Sequence, residues 1–289
     1  MTVRMTTRYW DGRRGAPSPI WLLRCWRVGF FLLAMTSQTS FASEADKDTV
    51  KRILDGCVTH DTVRDVAGTL TVEWAQDANA VYRRRVYRRI WQQLPAAGAA
   101  TKMNFLFVQE PASLHERSYL RWDRAGVIED WVYLPALQKT RRATVRDSED
   151  ALFRQVEEIL ALGLPPLHGP FNIEWGDVSL GIPNSVGGRL EKAEGAAESW
   201  RIGLLLSEQG KCFVKNVQYL DEKGKPSRIL TWSWRVDTAG YFRNLVQLQD
   251  TRDNQSLTFL LSDTQVNTSY PEDFFSPSQM RSASRSYTR

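Results

Sequence analysis

The stretch Met103–Leu134, MNFLFVQEPASLHERSYLRWDRAGVIEDWVYL, decides the class of fold. Its period is two. Met103, Phe105 and Phe107 alternate with Lys102, Asn104 and Leu106, and short apolar runs follow at Ser118–Trp122 and Ile128–Leu134. Pro111 and the turn from Asp123 to Gly126 punctuate them. Side chains on a strand point alternately to opposite faces, so the stretch reads as antiparallel strands joined by short turns, one face drier than the other.

The same rhythm continues outward. Toward the amino end, Leu70, Val72 and Trp74 alternate with Thr69, Thr71 and Glu73, and Val81–Gln93 is rich in Tyr, Val, Ile and Trp with Arg between them. Toward the carboxyl end, Trp200, Ile202, Leu204 and Leu206 share one phase, as do Phe213, Val217 and Tyr219. A hairpin turn follows at Asp221–Pro226, and then Leu230, Trp232, Trp234 and Val236 alternate with polar residues. Residues 242–249 and 257–267 add two further strands.

Two segments have a helical period instead. Val50, Ile53, Leu54 and Cys57 fall at i, i+3, i+4 and i+7, with Gly56 where the helix would end. Ser148 is placed to cap a second helix whose stripe is Leu152, Phe153, Val156, Ile159 and Leu160. Residues 164–199, punctuated by Gly169, Gly176, Gly181, Gly187 and Gly188, read as loops, and the Ser/Arg-rich end after Met280 reads as disordered. About ten regularly spaced strands predict a sandwich or barrel, and the apolar helices among them give the sheet something to wrap around.

The amino end reads as an export leader. Arg4, Arg8, Arg13, Arg14, Arg24 and Arg27 precede the apolar run Val28–Met35, and Ser40-Phe41-Ala42 fits a small-x-small cleavage site. Cleavage after Ala42 would leave a mature chain that starts at Ser43 in the periplasm. The run is far short of the ~20 residues that span a bilayer core as a helix. The leader also carries the basic excess. The whole chain has 38 Lys+Arg against 33 Asp+Glu, whereas residues 43–289 carry equal numbers of each. A net charge of zero removes the electrostatic argument for nucleic acid as a partner.

Catalytic and cofactor motifs do not stand out. His60, His115 and His168 lie far apart and read as turn or surface residues. There is no G-x-S-x-G, H-E-x-x-H, phosphate-cradling glycine loop or EF-hand, so no enzyme, cofactor or metal is expected. The acidic pairs Glu129-Asp130 and Glu157-Glu158 read as solvated faces. Cys57 and Cys212, the only cysteines after the leader, can pair in an oxidising compartment or lie as two buried thiols. The arginines at 83–85 and 88–89 divide between strand faces. An inward one would need a partner and could hold a headgroup or latch a lid, and Arg84 and Arg88 are the candidates. Met103, Phe105, Phe107, Trp122, Trp131, Tyr133, Trp232 and Trp234 are the candidates for a concave apolar wall, against the alternative of a closed core.

The run Val81–Arg142 resembles the outer-membrane lipoprotein-sorting proteins of the LolA-like type. The cues are the Arg/Tyr-rich strand, Phe105-Leu106-Phe107-Val108-Gln109-Glu110-Pro111-Ala112, the strand ending at Trp122, and Asp130-Trp131-Val132-Tyr133-Leu134-Pro135-Ala136-Leu137 followed by Arg141-Arg142. Pro271-Glu272-Asp273-Phe274-Phe275-Ser276-Pro277 resembles the way such chains close. Ala143–Ala161 departs from the family's Gly/Ser/Asp-rich pattern after the basic pair. The resemblance implies a mainly β (α+β) fold, an unclosed antiparallel β-barrel wrapped around helices, with residues 43–280 as one domain and 281–289 as a tail. It further implies a monomeric periplasmic carrier of lipid or acylated lipoprotein, served by an inner-membrane transporter or export pump. A non-transporting adaptor and an envelope hydrolase are the competing classes. If the strand Met103–Phe107 lines the cavity, Phe105→Glu should block an acyl probe with modest loss of fold, and Asn104→Glu, on the other face, should not.

Overall fold

The computed structural model describes residues 42–76, 80–94, 101–167, 171–176, 186–192, 199–207 and 209–288. All of the leader but Ala42 lies outside them. In chain order the first elements are β1 (Ala42–Ala45), α1 (Lys47–Asp55), β2 (Cys57–Val58), β3 (Asp65–Gln76), β4 (Ala80–Leu94), β5 (Thr101–Glu110), β6 (Ser118–Arg124), β7 (Val127–Leu134), β8 (Lys139–Arg142) and α2 (Ser148–Ala161). Then come β9 (Phe171–Gly176), β10 (Val186–Lys192), β11 (Ser199–Leu206), β12 (Cys212–Leu220), β13 (Pro226–Asp237), β14 (Gly240–Asp250), β15 (Gln255–Val266) and α3 (Met280–Tyr287).

The strands form one sheet in the order β1-β9-β10-β11-β12-β13-β14-β15-β3-β4-β5-β6-β7-β8, antiparallel at each of these steps. β2 adds a short parallel pairing to β12. No pairing joins β1 to β8 among the described residues, so the barrel is unclosed. Two of its helices, α1 and α2, lie against one side of the sheet. Val50 and Leu54 of α1, and Leu152, Phe153, Val156, Ile159 and Leu160 of α2, share one core with Leu70, Trp91, Leu106, Tyr119, Val132, Ile202, Leu230 and Trp232.

The structure corrects the sequence reading in several places. Among the described residues the sheet has fifteen strands where about ten are expected, and β1, β2 and β8 are too short to show a period. β9 and β10 lie in the segment that reads as loops and pair with Leu190 opposite Ile173. Their glycines and polar residues mask the alternation. The cap of α2 is Asp147, whose carboxylate accepts from the backbone N–H of Glu149 at 3.0 Å and Asp150 at 3.3 Å. Ser148 is instead the first helical residue, since the carboxylate one position earlier takes the orphan donors of the first turn.

The end after Met280 is also ordered. α3 sets Met280, Ala283 and Ser284 on one buried face, with Tyr287 half-buried beside them, an i, i+3, i+4, i+7 stripe hidden by the Ser/Arg-rich composition. With the 3-10 turn Glu272–Phe275, this tail covers β4–β7 on the side opposite the helices. β5 is consequently buried on both faces. Phe105 and Phe107 point to the tail side and Leu106 and Val108 to the helix side, all at most 1% exposed. A drier and a wetter face, expected from the alternation, do not exist there.

Candidate functional site

The eight apolar candidates do not form one wall. Met103, Phe105, Phe107, Trp122, Trp131 and Tyr133 all lie on the tail side, while Trp232 and Trp234 lie on the helix side. Phe105 is enclosed by rings, with centroids 5.0 Å from Phe107, 5.4 Å from Phe274 and 5.7 Å from Phe275. Phe107 stacks on Tyr287 at 5.1 Å, and the Trp122 indole N–H donates to the Phe275 carbonyl at 2.7 Å. This is a closed aromatic core.

Alternation along β4 also sorts the arginines. Arg88 stands opposite Phe107 on the tail side. Arg84, of the same phase, lies exposed and pairs with Glu110 at 3.1 Å and Glu73 at 3.5 Å. The inward arginines are Arg83, Arg85 and Arg89. Arg83 and Arg85 both reach Glu149 in the first turn of α2, at 3.1 and 2.9 Å. The same turn is held from the other flank, where Arg141 donates to the fully buried Asp150 at 2.6 Å and ion-pairs with Asp147 at 3.4 Å. Arg117 adds a contact to Asp147 at 3.5 Å. Four arginines therefore fasten the acidic amino end of α2 to the sheet. The sequence reading offered Arg84 and Arg88 as headgroup or lid contacts, but strand phase alone does not say which face is inward, and the β4 arginines that meet α2 are Arg83 and Arg85.

At the other end of α2 the structure holds a cavity of about 300 Å³. Glu157, Leu160 and Leu162 bound it from the helix and its exit, His60 and Asp61 from the loop before β3, and Arg89, Trp91, Asn104 and Arg121 from the sheet. Register builds the sheet side. Trp91, Asn104, Arg121 and Asp130 stand opposite one another across β4, β5, β6 and β7. Asn104 accepts from Arg89 Nε at 3.2 Å and donates to the Glu157 carboxylate. Arg121 forks onto Asp130 at 2.7 and 2.9 Å, lies over the Phe153 ring, and shares Asp130 with Arg154 at 3.3 Å. Arg243 closes the rim, pairing with Asp61 at 3.2 Å and donating to the Leu162 carbonyl.

Burial governs the electrostatics of this end. It pushes the Glu157 carboxyl above its ordinary value, against the pull of Arg89 and Arg121. It lowers the Arg89 guanidinium, against Glu157 and Asp61. Glu157 and Asp130 are thus buried members of pairs that read as solvated. The signal for Glu157 was its place four residues after Phe153 and three before Leu160, inside the apolar stripe. Asp130 shares strand phase with Val132.

His60 contacts the Thr59 hydroxyl at 3.0 Å beside the cavity, His115 follows a 3-10 turn, and His168 lies outside the described residues. Among the described residues no three His, Cys, Asp or Glu are grouped to ligate a metal, and no helix is long and apolar enough to cross a membrane. Cys57 and Cys212 are joined in a disulfide, Cα–Cα 4.5 Å, beside the β2–β12 pairing.

No protein-family model and no curated protein matches the chain. Among solved structures, it is similar to a domain assigned to an outer membrane lipoprotein-sorting protein from Vibrio parahaemolyticus, 15% identical over 81% of this chain and 97% of that one, TM-score 0.50. A DUF1329 family protein from Desulfovibrio piger matches at 16% identity over 81% and 97% of the two chains, TM-score 0.49. A LolA superfamily protein from Nitrosomonas europaea matches at 11% over 78% and 96%, TM-score 0.43. With its unclosed antiparallel sheet folded around two helices and its likeness to the Vibrio domain, the chain has the LolA-like fold of the outer-membrane lipoprotein-sorting proteins.

Proposed function

We propose that this chain is a periplasmic carrier that takes acyl chains of lipid or lipoprotein on the helix side of its sheet, beneath α2. The observation that carries the reading is the construction of α2 itself. Its apolar stripe lies on an apolar sheet face, and its last turns border a cavity lined by apolar residues (Trp91, Leu160, Leu162) together with charged ones. An acyl chain gains about 0.8 kcal/mol per buried methylene, so a fourteen-carbon chain offers roughly 10 kcal/mol. That is enough to replace the contacts of Leu152, Phe153, Val156, Ile159 and Leu160 one apolar surface for another.

The arginine-rich leader supports delivery to the periplasm, and the disulfide suits an oxidising compartment. An inner-membrane transporter or export pump fits as the donor. A second reading, an adaptor that never opens, is favoured by the fact that α2's own side chains fill the helix side. Native mass spectrometry of protein purified from its own envelope separates these readings. The carrier is expected to retain lipid on a chain beginning at Ser43. An empty chain bound to a pump would make it an adaptor, and turnover of lipid or peptidoglycan an enzyme.

A further inference from the structure

We propose that Arg89, Asn104 and Arg121 form the seat for the anionic group of an amphiphile, carboxylate or phosphate, and that Glu157 occupies this seat in its place until ligand displaces α2. The inference rests on the carrier reading above and names the ligand's polar end. The three seat residues stand on β4, β5 and β6 and so belong to the part of the molecule that stays when α2 departs. Glu157 belongs to the part that leaves.

Three observations distinguish this from an ordinary buried ion pair. First, Glu157 interrupts the apolar stripe of α2 between Phe153 and Leu160, where an apolar side chain would seal the helix side without desolvating a charge. A buried carboxylate is weak as a source of stability, so its place there calls for the partner it meets. Second, the carboxylate meets its seat through Asn104, which donates to it while accepting from Arg89. Third, the two guanidinium groups are satisfied differently. Arg121 keeps its fork onto Asp130, a sheet residue, whatever α2 does. Among the described residues Arg89 is in ion-pair contact with no carboxylate, and its charge is balanced at longer range by Glu157 and Asp61. Removal of α2 leaves Arg89 facing the cavity with a neutral amide as its neighbour and with Asp61, already paired with Arg243, as its remaining countercharge. A ligand with a negative group restores the balance, whereas an alcohol or monoacylglycerol of the same chain length does not.

The test uses the delipidated mature chain and matched twelve-carbon probes: dodecanoate and a lysophosphatidylglycerol as anions, dodecanol and monolaurin as neutral partners. The wild type is expected to bind both anions at least tenfold more tightly than the neutral probes, and the ratio of the two anions tells carboxylate from phosphate. Glu157→Gln keeps the acceptor for Asn104 and removes the competing charge. It should tighten anion binding at least tenfold and shift the neutral probes less, so that the anion preference widens. Arg89→Gln should abolish the anion preference while neutral binding persists, so the outcome does not depend on one variant folding. Equal binding of anionic and neutral probes by wild type and both variants overturns the anionic seat and leaves the carrier intact. Failure to bind any of the four removes the carrier reading and this one with it.

Discussion

The strands β4–β7 are covered twice, and the two covers are built from different materials. On the tail side the contacts are rings: Phe105, Phe107, Phe274, Phe275 and Tyr287 pack face and edge, and the buried polar contacts include the Ser118–Ser284 hydroxyl pair at 2.6 Å. On the helix side the apolar contacts are framed by charge, with four arginines at the first turn of α2 and a guanidinium–amide–carboxylate chain near its last. Ring packing is lost as a whole when the cover lifts, since nothing in water replaces it. A charge pair can be exchanged for water or for another charge, at far smaller net cost when its members are part-exposed. On the carrier reading proposed above, the tail is the permanent wall and α2 the removable one.

Breaking the wall should have the largest effect. Phe105→Glu places an unpaired carboxylate against the rings of Phe107, Phe274 and Phe275 and should cost more than about 5 kcal/mol, seen as loss of cooperative urea unfolding. This reverses the expectation drawn from alternation alone, in which Phe105 lined a ligand cavity and Asn104 did not. At the first turn of α2, Arg141→Ala strands the buried Asp150, whose carboxylate then keeps, among the described residues, the Thr144 N–H at 2.9 Å. A loss of about 2 kcal/mol is expected, below the ~3–5 of a fully buried pair because Arg141 keeps contact with water. It should speed amide exchange in α2 before any other element. Arg84→Ala, at an exposed pair on the other face, is the control and should change stability by less than about 1 kcal/mol.

The smallest effect, in pH, distinguishes the two ends of α2. Burial raises the Glu157 carboxyl above 4.5, so the folded chain holds that proton more tightly than the unfolded one. Acidification from neutrality through the raised value should therefore stabilise the fold, with the gain complete below 4.5. Asp147 has the opposite sign. Burial pushes it up, but the backbone donors of Asp150 and Glu149 and the charges of Arg117 and Arg141 outweigh that and hold it below 3.8. Its contribution is present above that value and lost as pH falls through the lowered one. Urea midpoints across this range should rise and then fall, and Glu157→Gln should flatten the rise alone.

Period and punctuation made the sheet legible. β3, β4, β5, β6, β7 and β13 each lie where an alternating or short apolar run between turn residues places a strand. What they do not encode is what covers each face. Phe105 and Leu106 are equally apolar, and only the arrival of residues 270–287 from far along the chain makes one a tail contact and the other a helix contact. The site was obscured for a related reason. A charged residue signals solvent when read singly, and Asp130 and Glu157 were legible only as interruptions of apolar rows formed by Val132 and by Phe153 and Leu160.

The sheet also sets a schedule. β15 pairs with β3, and Gly68 lets the two strands approach so closely that a Cβ there would lie 2.7 Å from the Ser262 carbonyl. The Asp65 carboxylate accepts from the backbone of Thr268 at 2.6 Å and of Ser269 at 3.3 Å, some two hundred residues on. A ribosome or a translocation pore delivers the amino half first. β3 to β7 therefore wait, with the aromatic residues of their tail side bare, until residues 270–287 have emerged. Long-range pairing of this kind is slow and leaves apolar surface open to aggregation. A carboxyl-terminal truncation, or a bulky tag that delays α3, should show itself in lost yield before it shows in lost activity.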